Sequence, residues 1–508
     1  MAEHDQDVDQ VNGALKFKVL NNFEISPPQG SVPTTNIPLT FFDYLYLICS
    51  ECKFIFLYEF PYPTHHFLET ILPSLKQSLS LTLQHFFPFA ATLVFPPEPI
   101  KPYIRYVADS ESSTVTFTVA ESTMDFNHII ADHPIDINEL DAFAPLKPPV
   151  SVLEDGTRLF PLLAIQVTVM PNSGFCIGIN YHHAIADGTA FMLFMKAWAS
   201  VCKRLLMSTK TDEVEEEEEG KHFSLPIFND GDMVQDPNGI DLSYLNMWWK
   251  PSPVNSYMLE RQGTSSSNDM HKNTKENHSF EAKGTMQLSQ VQVDKLKNWI
   301  SLKYNEYFTS ESQDQISSVP LHLSTFVAAS ALLWVCWVKL EDNIDIGDDE
   351  LYHFLIVVNC RGRYEFVSIP STYFGNFGAL SYVTLKKRQL LGENGIVEAA
   401  KAIGNKLEEL DKNGVMKGSE TWPLDFTEKL ISGRGVVAAG RPNLGLYETD
   451  FGVGRPKKCE FLGLQGGKSF TVFDSKDMNA GGVEVGFAFE RTKLNNFIEI
   501  IQQSLKIL

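Results

Sequence analysis

The stretch GINYHHAIADGTAF, residues 178–191, joins an apolar run that predicts a buried strand to the start of a helix. His182 and His183 stand at the end of this strand, and Asp187 follows four residues after the second histidine. Asp187 could simply cap the helix, and His183 could be a half-buried histidine at a strand end. His183 could instead act as a general base, because a neutral imidazole suits proton removal near pH 7. Adjacent strand residues point to opposite faces, so the two histidines make a poor metal site.

Length and charge limit the class of protein. The chain has 508 residues, enough for two or three domains with large apolar cores. Its formal net charge of -21 and pI of about 5.1 argue against general binding to nucleic acid or to anionic membranes. The acidic N-terminus, MAEHDQDVDQVNG, lacks the basic start and apolar core of a signal peptide. Seven scattered cysteines, with CxxC spacing only at Cys49 and Cys52, favour a reduced protein, and we expect a cytoplasmic monomer.

Strand and helix signals alternate along the chain, which predicts a mixed α/β protein. The long apolar stretch 321–338 carries polar residues, so a buried core helix is favoured over a membrane span. An acidic block at 208–221 marks a boundary and predicts a solvated linker, and the polar stretch 261–279 predicts a long flexible loop. The remaining expected strands are 53–60, 112–122, 161–170, 174–182, 352–360, 469–475 and 482–490, and apolar residues recur at helical spacing over 68–83, 191–205 and 494–508.

Two short motifs suggest other chemistry, but each lacks part of its pattern. GLQGGKS at 463–469 would need a glycine at position 462 to form a phosphate-binding loop, and that residue is Leu462. The DFG triplet at 450–452 has no kinase H-R-D loop or V-A-I-K strand with it. No G-x-S-x-G elbow is present, which weakens a serine hydrolase interpretation.

A set of motifs spread over nearly the whole chain resembles the BAHD family of plant acyl-CoA-dependent acyltransferases. The resemblance is strongest to the malonyltransferase-like branch that acylates anthocyanins and other phenolic glucosides. The motifs, in chain order, are PLTFFDYLYL (38–47), PSLKQSLSLTLQHFFPFAATL (73–93), H-x-x-x-D-G (183–188), HLSTFVAASALLWVCWVK (322–339), YFGN (373–376), DFGVGRPKK (450–458) and GGVEVG (481–486).

This resemblance implies a two-domain fold related to chloramphenicol acetyltransferase, in which each domain is a mixed β-sheet flanked by helices. A channel at the domain interface would admit acyl-CoA at one mouth and the acceptor at the other. We expect an N-terminal domain at 1–207, an acidic crossover linker at 208–222 and a C-terminal domain at 223–508. A returning segment near 460–482 is expected to join the N-terminal domain.

The same resemblance assigns roles to residues. His183 matches the family's catalytic histidine, and Asp187 matches a motif aspartate that points away from the channel and pairs with an arginine, here Arg361 or Arg363. A mostly structural loop is matched by Asp450, Phe451, Gly452 and Gly454. Candidates for binding the phosphates of CoA, which could equally form a solvated basic turn, are Arg455, Lys457 and Lys458.

Four residues depart from the family's pattern. Val453 stands where tryptophan is usual, Phe377 where cysteine is frequent, and Asn359 where aspartate is common. Arg441 stands where the branch often has a serine close to the acyl site. A charge there could mark lost catalytic support, or it could bind a carboxylate such as that of malonyl-CoA.

The resemblance implies an O-acyltransferase that moves a malonyl or hydroxycinnamoyl group to a sugar hydroxyl of a flavonoid, anthocyanin or other phenolic glucoside. Acyl-CoA would be a co-substrate, and neither a bound cofactor nor a metal is implied. Donor and acceptor would meet in one ternary complex, where His183 takes the hydroxyl proton. Two alternatives stay open, a non-catalytic relative that binds phenolics or a partner protein, and an N-acyltransferase to an amine.

Overall fold

The computed structural model describes residues 17–47, 51–208, 223–229, 231, 233–236, 238–254, 256, 281–308, 321–341, 347–363, 365, 368–464, 466–477 and 481–506. Beyond Ser208, the predicted acidic linker lies outside the described residues. So do Cys49, the predicted loop at 261–279 and the last two residues of the predicted closing helix.

Strands and helices alternate over the described residues. The strands are β1 (Phe17–Ile25), β2 (Thr35–Pro38), β3 (Cys52–Glu59), β4 (Thr92–Phe95), β5 (Tyr103–Tyr106), β6 (Val115–Ser122), β7 (Ile135–Asp136), β8 (Ser151–Val152), β9 (Arg158–Pro161), β10 (Leu163–Met170), β11 (Gly174–Tyr181), β12 (Glu281–Leu288), β13 (Leu351–Asn359), β14 (Gly378–Lys386), β15 (Gly435–Ala438), β16 (Lys458–Phe461), β17 (Ser469–Asp474) and β18 (Val483–Glu490). The α-helices are α1 (Phe41–Tyr44), α2 (Thr64–Thr70), α3 (Leu72–Leu83), α4 (Phe126–Ile130), α5 (Ile137–Asp141), α6 (Gly188–Ser208), α7 (Ile240–Trp249), α8 (Gln290–Phe308), α9 (Thr325–Leu340), α10 (Lys387–Leu391), α11 (Gly395–Asn413), α12 (Trp422–Ile431) and α13 (Arg491–Lys506).

A six-stranded sheet contains β11, the strand that ends just before His182 and His183. Its order is β1-β6-β10-β11-β3-β16, with β6 and β10 parallel and the other neighbours antiparallel. Every residue of the inner strand β11 is buried, which explains its continuous apolar run. Gly178 is needed in this strand because the Phe143 carbonyl leaves no room for a Cβ atom.

A seven-stranded sheet is the second main layer. Its order is β14-β13-β15-β17-β18-β12-β7, with β15 parallel to both of its neighbours. Both large sheets are therefore mixed, and the predicted α/β fold with two domains is confirmed. A smaller antiparallel sheet has the order β2-β5-β4-β9-β8.

The chain passes between the two large sheets at two points. The short strand β7 belongs to the seven-stranded sheet, and β16 pairs with β3 of the six-stranded sheet. On β16 the buried carboxylate of Glu460 binds Lys283 of β12 and accepts from Thr285 Oγ1 at 2.6 Å. This ionic contact joins the two sheets. The domain limits and the returning segment near 460–482 stay predictions.

The helices follow the predicted apolar spacing with one interruption. Over 68–83 a break at Ile71 gives two helices, α2 and α3, because Pro73 in the first turn of α3 lacks an N–H group for the preceding turn. Residues 327–338 of α9 are all buried, as expected for a core helix. None of the helices among the described residues has the combined length and hydrophobicity of a membrane span.

Candidate active site

The end of β11 places two histidines in different surroundings. His182 is fully buried, packs edge-on against Phe160, and accepts from the Ala184 N–H through Nδ1 at 3.2 Å. Burial, with smaller effects of Lys147 and His183, lowers the pKa of His182 well below its ordinary value. His182 thus shapes the short 3₁₀ turn His183–Ile185 that follows the strand.

His183 lies half-buried at the start of this turn, between an aromatic ring and an amide. The ring of Tyr46 stacks on its imidazole, with centroids 3.8 Å apart and an interplanar angle of 6°. The Asn376 side chain lies beside the Nδ1 atom of His183, with Oδ1 3.1 Å from this nitrogen. Asn376 Nδ2 also donates to the His183 carbonyl at 2.8 Å. Because the amide oxygen faces Nδ1, this contact favours the tautomer that has its proton on Nδ1 and its lone pair on Nε2.

Burial lowers the pKa of His183, although its own carbonyl, Asp187 and Asn376 oppose the shift. The imidazole is therefore neutral near pH 7, which is the form that can accept a proton. An unprotonated Nε2 on a fixed ring is the arrangement that a general base requires.

Asp187 does not contact the His183 ring but fixes the backbone on either side of it. Its Oδ1 accepts from Ala190 N at 2.9 Å, which caps α6. Its Oδ2 accepts from Arg361 Nη1 at 2.6 Å and from Phe377 N at 3.1 Å. One carboxylate thus ties the histidine turn, helix α6 and the segment that carries Asn376.

Arg361 and Arg363, the two predicted partners of Asp187, point to different places. The side chain of Arg361 is only 4% exposed, and Nη2 donates to the carbonyls of Tyr373 and Gly375 at 3.0 Å each. Arg363 instead pairs with Asp411 near the surface. Arg361 therefore orders the turn that precedes Asn376.

Two of the departures from the family pattern lie in this cluster. Asn359 Oδ1 accepts from Arg361 Nη1 at 3.2 Å, so an amide replaces a carboxylate beside the guanidinium. Phe377 is fully buried and packs against Phe42 and Tyr373 with ring centroids 4.8 and 5.2 Å away. Phe377 thus helps to pack the segment that carries Asn376, and Asn359 binds the Arg361 guanidinium.

The loop 450–454 is bound to α6 and β3 rather than to His183. Asp450 Oδ2 accepts from Lys203 Nζ at 2.7 Å, and Oδ1 accepts from Gly452 N and Gly454 N at 2.9 Å each. Burial would raise the pKa of Asp450, but the Lys203 ammonium and the glycine N–H groups outweigh it and lower that pKa.

The backbone of this loop has a positive φ at two positions, +95° at Gly452 and +97° at Gly454, and this conformation favours glycine. Phe451 is fully buried and packs edge-on against Trp198 and Tyr58. Val453, the third departure, is partly buried against the same core. These contacts give the loop a structural character.

The basic residues after this loop differ in exposure. Lys457 is exposed and pairs with Glu59 at 2.7 Å, and Arg455 is also exposed. Lys458 is buried, where Nζ donates to the Ala131 carbonyl at 2.7 Å and lies 3.3 Å from Glu460. Its ammonium is thus committed to the interior, which disfavours a contact with CoA.

Arg441, the fourth departure from the family pattern, contacts the first turn of α6. Its Nη2 donates to Thr189 Oγ1 at 3.0 Å. Burial lowers the pKa of Arg441, an effect that Asp187 and Asp474 oppose and Arg361 adds to. Arg441 is therefore a half-buried cation. Its partner Thr189 lies two residues after Asp187 in the sequence, in the first turn of α6.

No site role was predicted from the sequence for Tyr46, Asn376 or Asp43, although the Asp43 carboxylate accepts from Asn376 Nδ2 at 3.1 Å. All three fall in motifs quoted for the family resemblance, but no local pattern gave them a role. Among the residues with described positions, no group of three or more His, Cys, Asp or Glu side chains could hold a metal ion.

Comparisons with known proteins show the family of the chain. The Transferase family matches residues 23–503. The coumaroyl-CoA:anthocyanidin 3-O-glucoside-6''-O-coumaroyltransferase 1 of Arabidopsis thaliana is 36% identical, over 96% of this chain and 97% of that protein. The malonyl-coenzyme A:anthocyanin 3-O-glucoside-6''-O-malonyltransferase of Dahlia pinnata is 32% identical, over 96% and 97%.

Solved structures share the fold. Vinorine synthase matches with a TM-score of 0.62 at 17% identity, over 96% of this chain and 98% of that one. F. graminearum TRI101 in complex with coenzyme A and T-2 mycotoxin matches with a TM-score of 0.61 at 14% identity, over 91% and 96%. The chain therefore belongs to the Transferase family, the BAHD acyltransferases, and is an acyltransferase enzyme that uses acyl-CoA as co-substrate.

Proposed function

We propose that this protein transfers a malonyl or hydroxycinnamoyl group from CoA to a sugar hydroxyl of a flavonoid, anthocyanin or other phenolic glucoside. The single observation that carries the chemistry is the fixed, neutral imidazole of His183 with Nε2 free to accept a proton. The names of the relatives support the substrate class, since they describe acyl transfer to anthocyanin and phenolic glucosides. The cytoplasmic location and the monomeric state remain predictions from the sequence.

In the proposed reaction the acceptor hydroxyl and the thioester meet in one ternary complex, so positioning supplies much of the rate. His183 Nε2 removes the hydroxyl proton as the oxygen attacks the thioester carbonyl. The tetrahedral oxyanion then collapses, the carbon–sulfur bond breaks, and the imidazolium returns its proton to the CoA thiolate. The products are the ester and free CoA, and His183 ends in its starting form.

The surroundings of His183 suit both halves of this cycle. Burial keeps the resting ring neutral by lowering its pKa. The transient imidazolium is stabilised by Asn376 Oδ1 at Nδ1 and by the face of Tyr46, which is 3.8 Å away. Asp187 has a positioning role, because its contacts go to the helix start and to the Asn376 segment.

The acyl group is the finer part of the proposal. Relatives that transfer coumaroyl and malonyl groups are similarly related to this chain, at 36% and 32% identity. Arg441 favours a donor with a carboxylate, because its guanidinium is half-buried and its described hydrogen bond goes to a neutral hydroxyl. For the phosphates of CoA, the exposed Arg455 and Lys457 are the better candidates, whereas the ammonium of Lys458 is buried.

The experiment is a panel in which malonyl-CoA and coumaroyl-CoA are each offered with a set of phenolic and flavonoid glucosides and, separately, with a set of amines. Release of the free CoA thiol gives the rate, and mass spectrometry of the acceptor shows whether one acyl group has been added. The proposal expects turnover that depends on both substrates. Folded protein that is silent across the panel would favour a non-catalytic relative, and turnover with amines alone would favour an N-acyltransferase.

A further inference from the structure

The Asn376 amide that contacts His183 is itself held by a buried carboxylate. Asp43 Oδ1 accepts from Asn376 N at 3.0 Å and from Asn376 Nδ2 at 3.1 Å. The second proton of Nδ2 goes to the His183 carbonyl at 2.8 Å. Both amide protons are therefore used, and the oxygen is the atom that faces His183 Nδ1.

A primary amide can also occupy this space turned over, with its nitrogen toward His183 and its oxygen toward Asp43. The turned amide would bring its oxygen against the Asp43 carboxylate and the His183 carbonyl, with no proton between these acceptors. That arrangement is costly because Asp43 and Asn376 are both buried, where electrostatic interactions are strong. The charge of Asp43 therefore selects the observed orientation of the amide.

Asp43 is fixed in turn by the first turn of α1. Its Oδ2 accepts from Thr40 N at 2.8 Å and from Thr40 Oγ1 at 2.9 Å, so both Thr40 donors hold the carboxylate at the start of α1. Burial raises the pKa of Asp43 to about 6, and the hydrogen bonds from Thr40 and Asn376 oppose the rise. The carboxyl group is therefore ionised at pH 7.

We propose that Asp43 is a positioning residue for acyl transfer, which fixes the Asn376 amide and through it the His183 tautomer that has its proton on Nδ1. This inference rests on the proposed function, in which His183 Nε2 accepts the hydroxyl proton. In the other tautomer Nε2 carries a proton and cannot act as the base. Asp43 does not contact the reacting atoms and acts only through Asn376.

The kinetic test is a double-mutant cycle on kcat with Asp43→Asn and Asn376→Ala. Asp43→Asn removes the charge at nearly constant size, and we expect kcat to fall roughly 10- to 100-fold, as for loss of a charge-assisted hydrogen bond. KM should change little, because Asp43 is buried with only 4% of its surface exposed. In the Asn376→Ala background the same change should lower kcat less than about twofold, because the path to His183 is already broken. An equal fall in both backgrounds would overturn the proposal.

The tautomer can be read without any substrate. Protein labelled with ¹⁵N in the histidine rings is compared with His183→Gln, which identifies the His183 signals, and with Asp43→Asn. We expect the proton on Nδ1 in the wild type and a mixture of tautomers in Asp43→Asn. A wild-type proton on Nε2 would overturn the proposal even if the Asp43 variant does not fold. Because this spectrum needs no turnover, it separates failure of the positioning role from failure of the proposed function.

Discussion

The ion pair between Asp187 and Arg361 should contribute stability that can be measured directly. The pair is 2.6 Å long, and the two side chains are 20% and 4% exposed. In Asp187→Asn the Arg361 guanidinium keeps its carbonyl acceptors at Tyr373 and Gly375 but loses its carboxylate. Breaking a buried pair costs about 3–5 kcal/mol, and the remaining acceptors place this loss near the lower limit, about 3 kcal/mol.

The melting temperature is the convenient readout. At about 2.1 cal/mol/K per residue, the entropy of unfolding of 508 residues is roughly 1.1 kcal/mol/K, so Asp187→Asn should lower Tm by about 3 °C. Arg361→Gln should cost a similar amount, and the double variant should melt close to the worse single variant. We also expect kcat to fall about tenfold, because Phe377 N loses an acceptor beside Asn376.

Arg363 and Asp411 provide the matched control, since Arg363 lies two residues from Arg361 but pairs with Asp411 of α11 at the surface, with side-chain exposures of 23% and 51%. Asp411→Asn should lower Tm by less than about 1 °C, as for an exposed ion pair. The reasoning is refuted if Asp187→Asn shifts Tm no more than Asp411→Asn, or if the effects of Asp187→Asn and Arg361→Gln simply add.

Three further outcomes are expected. Arg441→Ala should lower kcat/KM with malonyl-CoA at least about tenfold more than with coumaroyl-CoA, and equal losses would remove the carboxylate role. Burial lowers the pKa of His183 and raises the pKa of Asp43 to about 6. We therefore expect kcat to stay constant as the pH falls from 8 and to decline only near or below pH 6. A decline centred at or above pH 6.5 would contradict this expectation. Arg455→Ala and Lys457→Ala should each raise KM for acyl-CoA about threefold, in a manner that weakens with added salt, whereas unchanged KM values would return both residues to a solvated turn.

Strands with long apolar runs could be predicted because most of their residues are buried, whereas the long strands β1, β12 and β14 were not predicted. The runs at 161–170 and 174–182 are continuous apolar segments, and they form β10 and β11. The smaller sheet was not predicted, because strands of two to four residues such as β8 and β4 are too short to show a period. Their pairing is set by tertiary contacts.

In the candidate site, residues that are close in the sequence could be predicted and residues that are far apart could not. His183 and Asp187 share one short motif, whose spacing left a structural and a catalytic role open until the family resemblance favoured the catalytic one. Asp43 and Asn376 lie 333 residues apart, and no local pattern can join them. The choice between Arg361 and Arg363 was also open, because it depends on how the turn at Gly362, with φ of +73°, directs the two side chains.

Acyl transfer by His183 is the central claim, and the steady-state rate of His183→Ala tests it most directly. The variant should be measured with the donor and acceptor that the wild type uses best, after its melting temperature and its affinity for CoA are shown to match the wild type. We expect kcat of His183→Ala to fall by about 10²- to 10⁴-fold, because no base then accepts the hydroxyl proton. A variant that keeps kcat within tenfold of the wild type would contradict it.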